Sequence, residues 1–315
     1  MMDKEKFVRI RIKSVYPDVA TDFDLFVLIG GRHVLYLHSG DKLSLEKMSS
    51  LEAHQNAAFY IHEKDFKSFK KYVHREVSGD KLNNKQKALI LKESSYALVE
   101  QLFENPDVNK ALDESKEIIQ SFVTFMEAVP EGMAHLISLS SHDFYTYNHS
   151  LDVGIYCLGL AKALSYNFRD LVEVGQGALF HDIGKRLVDV NIITKAGPLD
   201  ESEWAQMSRH PQYGLKILND HGGITDGIKA ACFEHHENFL GTGYPQGLNG
   251  QDIHPFGRIV ALADTYDALT TKRSYNNPMY PKDAVELMAH KICDRYDPEM
   301  LKAFTSILFN IEKKK

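Results

Sequence analysis

The segment ALFHDIGK, residues 178–185, places an imidazole and a carboxylate side by side at the end of an apolar run. His181 and Asp182 are followed by Gly184 and Lys185. Both side-chain types are ligands for divalent transition metals. An ionised carboxylate buried without a partner costs several kcal/mol or is forced neutral, so this pair requires compensating positive charge. The pattern recurs elsewhere. In YNHSLDVGIYCLGLAKAL, His149 shares a helix face with Val153, Tyr156 and Leu160, at about 100° per residue. Leu171, Val174 and Ala178 form a stripe that Asp182 continues. Ile228 and Ala231 line up with His235, and Val260, Ala261 and Ala268 surround Asp264.

Taken singly, each residue has an ordinary explanation: a hydrogen-bonded core histidine, or a solvated or capping aspartate. Taken together, they place two carboxylates in one apolar interior. Lys185 supplies only part of the balancing charge, and divalent ions would supply the rest. Neighbouring residues on a helix diverge by about 100°, so His181-Asp182 and His235-His236 can each grip adjacent ions from two directions. His210 precedes Pro211, where a helix bends or ends, and would approach from another side.

These residues need helices to carry them. Apolar spacing predicts helices over 84–104, 107–128, 147–165, 169–183, 200–219, 224–237, 256–271, 281–292 and 297–312, with Asn105-Pro106 separating the first two. Gly184 reads as the stop of the 169–183 helix. The first residues differ in character. KFVRIRIKSVY alternates like a half-buried strand, two apolar runs flank Gly30-Gly31 as in a hairpin, and AAFYIHEKDFKSFKKYVHREV reads as a strand and then a helix. The expected class is α+β: a small α/β or β-rich domain over 1–80, a helical connector over 81–134 and an all-helical domain over 135–315.

Composition narrows the function. The net charge is −6, with 17 Lys/Arg against 14 Asp/Glu in residues 1–100 and 20 against 29 in the remainder. No strong basic footprint for DNA or RNA is present. The stretch 64–92 carries nine Lys/Arg against three Asp/Glu, as a solvated helix face or a contact for an anionic partner. Cys157, Cys232 and Cys293 are too scattered for a disulfide framework or a thiolate metal site. No apolar run reaches the ~18 residues of a membrane span, and the amino-terminal residues lack the apolar centre of a signal peptide. The expectation is a cytoplasmic protein.

The motifs YTYNHS (145–150), HDIGK (181–185), RHPQYG (209–214), EHHENFLGTGYPQGL (234–248) and ADTYDALTTKRSY (263–275) resemble, in order and spacing, those of HD-GYP domains, metal-dependent phosphohydrolases of the HD superfamily. The resemblance covers about residues 135–310. It implies an all-α helical bundle that hydrolyses cyclic di-GMP to linear pGpG, GMP or both. It also implies a metal cluster of iron or, next, manganese, held by His149, His181, Asp182, His210, His235, His236 and Asp264. Members with three metals carry a carboxylate where this chain has Tyr145, so two ions are expected. Ions about 3.5–4 Å apart would activate a bridging hydroxide for attack on phosphorus, with Asp182 as bridging ligand. Lys185 is expected at the phosphate or the leaving group, against the alternative of a cation offsetting a helix dipole. Arg273 would be a phosphate fork or a surface ion pair. Tyr244, in the glycine-rich GTGYPQGLNG loop, is expected beside substrate, and the family also uses this loop to contact diguanylate cyclases.

The chain departs from the family at Leu240, where an acidic or amide residue is common, at Asn238 and Phe239, where a basic residue is common, and at Ser274 and Asn276, where the family commonly reads Arg-Pro-Tyr-Arg from Arg273. These changes spare the metal ligands and touch their surroundings. They motivate the alternative of a nucleotide-binding or partner-docking receptor with little turnover, and a third reading in which another cyclic dinucleotide is the substrate. For residues 1–80 only a regulatory or docking role is expected, by analogy with other small domains that precede an output domain.

Overall fold

The computed structural model describes residues 6–53, 58–104, 108–129, 131–139, 146–272 and 278–312. The strands are β1 (Phe7–Ile10), β2 (Leu25–Ile29), β3 (Arg32–Leu37) and β4 (Phe59–His62). The helices of the first part are α1 (Leu45–Glu52), α2 (Phe66–Ser78), α3 (Asn84–Glu104), α4 (Val108–Ala128) and α5 (Gly132–Ser138). They are followed by α6 (Thr146–Ala163), α7 (Phe168–Leu179), α8 (Val190–Ile193), α9 (Glu201–Met207), α10 (His210–Asn219), α11 (Asp226–Glu234), α12 (Pro255–Thr270), α13 (Pro281–His290) and α14 (Pro298–Glu312). Among the described residues no helix is long and apolar enough to cross a membrane. The α+β class is as expected, with the sheet at the amino-terminal end and helices thereafter. Tyr145 and residues 105–106 and 273–276 lie outside the described residues.

The chain forms two compact units, one of residues 1–101 with 124–139 and one of 102–123 with 140–315. In the first, an antiparallel sheet has the order β1-β4-β2-β3. Gly30 and Gly31 connect β2 to β3 with φ of 56° and 77°. Positive φ at both turn positions fits the twist of a two-residue hairpin and favours glycine. Alternation then puts Val8, Ile10, Leu25, Phe59 and Ile61 on one face, in a core with Phe69, Tyr72 and Val73 of α2 and Ile90 and Ala97 of α3.

In the second unit α6 packs along α7, α12 and α14, and α11 lies against α7, α10 and α12. The apolar stripes expected on α6, α7 and α11 are buried, from Val153, Tyr156 and Leu160 to Ile228 and Ala231. Three expectations are corrected. The helix expected over 200–219 is two helices, α9 and α10, parted at Ser208-Arg209. Pro211 lacks an amide proton and crowds the preceding turn, so it fits only in the first turn of a new helix. The helices expected to reach 183 and 237 end at Leu179 and Glu234, for a reason that lies in the site itself. Gly184 does not stop a helix. It sits buried in a short 3-10 turn, Ile183–Leu187, where an added Cβ would collide with the carbonyl oxygen of His210 and the amide nitrogen of Gly214. Glycine is required there because two backbones touch.

Gly184→Ala should therefore destabilise the protein by about 3 kcal/mol, the upper range for overpacking. Urea unfolding measures this as a lower midpoint at unchanged slope. A change within about 0.5 kcal/mol would remove the close-approach explanation.

Candidate metal centre

His149 projects from α6, and Asp264 from α12 one turn before Asp267. His149 Nε2 lies 3.2 Å from His181 Nε2 and 3.3 Å from Asp264 Oδ1. His149, His181 and Asp264 form one group of potential metal ligands, and Asp182, His210, His235 and His236 form a second. Asp182 faces both. Its Oδ2 is 3.6 Å from His149 Nε2 and 3.5 Å from His181 Nε2, while its Oδ1 is 3.3 Å from His210 Nε2 and 3.9 Å from His235 Nε2. One buried carboxylate thus gives one oxygen to each group. Lys185 Nζ also lies against Oδ2, at 2.5 Å, from a side chain 30% exposed.

Three of the histidines are set by the same device. Nδ1 of His181, His210 and His235 lies 2.7, 2.8 and 2.8 Å from the carbonyl oxygen three residues earlier, of Ala178, Met207 and Cys232. These carbonyls belong to the last turns of α7, α9 and α11, where the helix leaves acceptors unpaired. Each imidazole donates its Nδ1 proton there, closing the helix and directing Nε2 forward. This is why His181, Asp182, His235 and His236 stand beyond helix ends rather than on helix faces. For His149 the Nδ1 partner is Asp267 Oδ2 at 2.6 Å, whose other oxygen accepts from the Thr271 hydroxyl at 3.2 Å.

Committing the Nδ1 protons fixes the tautomers. In their neutral forms His210 and His235 then point Nε2 lone pairs at one another across 3.2 Å, with no proton to share. Burial favours the neutral forms: it lowers His181, takes His210 down to about 4 and His236 to about 3, and drops His235 well below the ordinary range. His149 alone is held above its usual value. There burial acts downward but Asp267, then Asp264 and Asp182, outweigh it. Asp182 is pulled well below the carboxylate range, because Lys185, His181, His210 and His149 overcome its burial. His149, His181 and His236 likewise lower Asp264 against the upward effect of its burial. Three buried or half-buried carboxylates thus face one lysine and at most one imidazolium. Facing lone pairs within net negative charge suit divalent cations, and the residues present fit them.

The loop beside the second group is tied from below. Glu237, buried, accepts backbone protons from Gln246 at 2.6 Å, Gly247 at 3.1 Å and Leu248 at 3.0 Å. Asn238 Oδ1 accepts from the amides of Leu240 and Thr242 at 3.1 and 3.2 Å. These bonds seat Tyr244 flat on His236, centroids 4.6 Å apart and planes 24° apart. Burial, then Asp182 and Asp264, raise the Tyr244 hydroxyl far above the usual phenol range. All the residues expected as metal ligands are brought together, with Lys185 and Tyr244 beside them, while Arg273 lies outside the described residues. Sequence reasoning gave no role to Asp267 or Glu237. Asp267 had a signal, its position three residues after Asp264 on one helix face.

The HD domain family matches residues 131–300. A cyclic di-GMP phosphodiesterase of Pseudomonas aeruginosa is 32% identical over 219 residues, covering 69% of this chain and 53% of the relative. A 3'3'-cGAMP-specific phosphodiesterase of Vibrio cholerae is 33% identical over 223 residues, covering 67% and 48%. The chain spans about half the length of these curated relatives. A solved HDG"Y"P protein of Bdellovibrio bacteriovorus, Bd1817, is similar in fold with a TM-score of 0.74 at 21% identity, covering 96% of this chain and 100% of that one.

If Asp267 orients His149, Asp267→Asn should weaken manganese binding about 10–100-fold while far-ultraviolet circular dichroism stays unchanged. Competition against a chelator of known affinity measures this. Unaltered affinity would make Asp267 a packing residue only.

Proposed function

The chain belongs to the HD-domain family, in its HD-GYP branch, and on that footing we propose that it is a metal-dependent phosphodiesterase that hydrolyses cyclic di-GMP, or a closely related cyclic dinucleotide, to a linear dinucleotide or mononucleotides. The observation that carries this reading is the division of Asp182, one oxygen to each ligand group. It supports two ions, iron or manganese, one held by His149, His181 and Asp264 and the other by His210, His235 and His236, with Asp182 shared. We assign this chemistry to residues 135–315, and to residues 1–80 a regulatory or docking role joined through 81–134.

Hydrolysis forms a bond from a water oxygen to phosphorus and breaks the ester bond to the ribose 3′ oxygen, which departs and takes a proton. Bound divalent ions supply Lewis acidity, lowering the pKa of water toward 7 and drawing charge from phosphoryl oxygens. The chain's own part is orientation and charge. The three Nδ1-to-carbonyl bonds and the His149–Asp267 bond hold the imidazoles so that nothing reorganises as charge develops. Lys185, partly exposed beside Asp182, would neutralise a phosphoryl oxygen or protonate the leaving oxygen. Tyr244 walls the second group, and Arg273 would hold phosphate from the segment after α12.

A second reading, a receptor that binds nucleotide or docks a diguanylate cyclase with little turnover, is favoured by Leu240. It replaces an acidic or amide residue on the loop and is 53% exposed.

Protein loaded anaerobically with iron or manganese should convert cyclic di-GMP, 3'3'-cGAMP or both, followed by chromatography of the products. Joint His181→Ala and Asp182→Ala replacement should bring the rate to background. Lys185→Ala should lower kcat about a hundredfold with metal content intact. Metal-loaded protein without turnover, binding nucleotide equally well in the double variant, would replace the enzyme reading with the receptor reading.

A further inference from the structure

The chain's sole tryptophan, Trp204, is unused by the chemistry above. It sits on α9, 51% exposed. A half-exposed indole forgoes about half of the stabilisation that its large apolar surface would gain by full burial, yet this one is carefully held. Asp200 and Glu203 close a capping box at the start of α9, and Lys195 Nζ pairs with Glu203 Oε2 at 2.5 Å. The indole meets Tyr244 edge to face, centroids 5.9 Å apart and planes at 77°. Tyr244 in turn lies flat on His236, a member of the second ligand group. A series of rings, His236, Tyr244 and Trp204, therefore runs from the cluster out to solvent. A nucleotide spans the same journey, from a charged phosphate to a flat base.

We propose that Trp204 is the platform on which one purine base of the substrate stacks while its phosphodiester lies at the histidine–aspartate cluster. This rests on the phosphodiesterase reading, and names the part of that substrate bound away from the metals. Stacking on an aromatic face uses the π surface that every base presents. Trp204 thus serves guanine and adenine alike and selects for a base-bearing phosphodiester, not for one base over the other. Edge-to-face contact with Tyr244 fixes the indole's orientation, so little rotamer freedom is lost when a base arrives.

Because the chain has one tryptophan, its fluorescence reports this position alone. With the intact chain at fixed manganese concentration, cyclic di-GMP should quench the emission saturably, and inorganic phosphate, with charge but no ring, should leave it unchanged. Trp204→Ala should weaken binding of a fluorescently labelled cyclic di-GMP, read by anisotropy, and raise KM about 10–100-fold. Its kcat should stay within about twofold, the signature of lost uniform binding, and Trp204→Phe should recover most of the affinity. Emission unchanged at saturating nucleotide, or unaltered affinity in Trp204→Ala, would overturn the proposal. So would a fall in kcat and metal content together, which would mean that Trp204 acts by holding Tyr244. Quenching without turnover would retain the platform and remove the hydrolysis reading. Turnover without quenching would do the reverse.

Discussion

Neutral imidazoles that have donated their Nδ1 protons to carbonyl oxygens have only lone pairs left to offer. His210 and His235 bring two such lone pairs to 3.2 Å in the interior, beside a carboxylate that is itself buried. With both rings neutral and their Nδ1 bonds kept, no proton lies between the two imidazoles, and burial disfavours adding one. Lys185 relieves one oxygen of Asp182 but reaches neither imidazole pair by any contact the structure shows. The interior is thus built around a demand for positive charge, and the rest of the helical unit follows from the need to assemble it.

The assembly runs through helix ends. Helices α7, α9 and α11 each finish with a carbonyl that a histidine ring takes three residues later. Capping and ring orientation are therefore one bond with two consequences. Losing any of these bonds would free a helix terminus as well as a ring. The same economy explains the contact of the turn after α7 with α10. Gly184 lets the backbone carrying Asp182 touch the backbone carrying His210, and that contact sets the distance between the two residues. Glu237 and Asn238 extend the scheme outward by holding the loop that lays Tyr244 on His236.

Much of this was legible in the residues alone. His149 and Asp264 occupy regular helices, and their apolar neighbours at helical spacing reported which way they face. The Gly30-Gly31 hairpin and the strand-then-helix pattern after it were equally local. The ends of α7 and α11 were not legible, because the apolar stripe continues in register while a side-chain ring competes with the backbone for the last carbonyls. Periodicity carries no information about that competition. Gly184 was misread for a related reason: a glycine after a helical run signals a stop, whereas its close approach to His210 joins segments distant in sequence. Asp267 was visible but unassigned, since its partner His149 lies more than a hundred residues away.

The central claim is that Asp182 is shared between two cation sites. Anomalous diffraction at the metal edge, on crystals of the manganese- or iron-loaded chain, tests it most directly. The account predicts two peaks, one among His149, His181 and Asp264 and one among His210, His235 and His236, each bonded to a different oxygen of Asp182. A single peak, or two peaks with Asp182 bonded to neither or to only one, would contradict it.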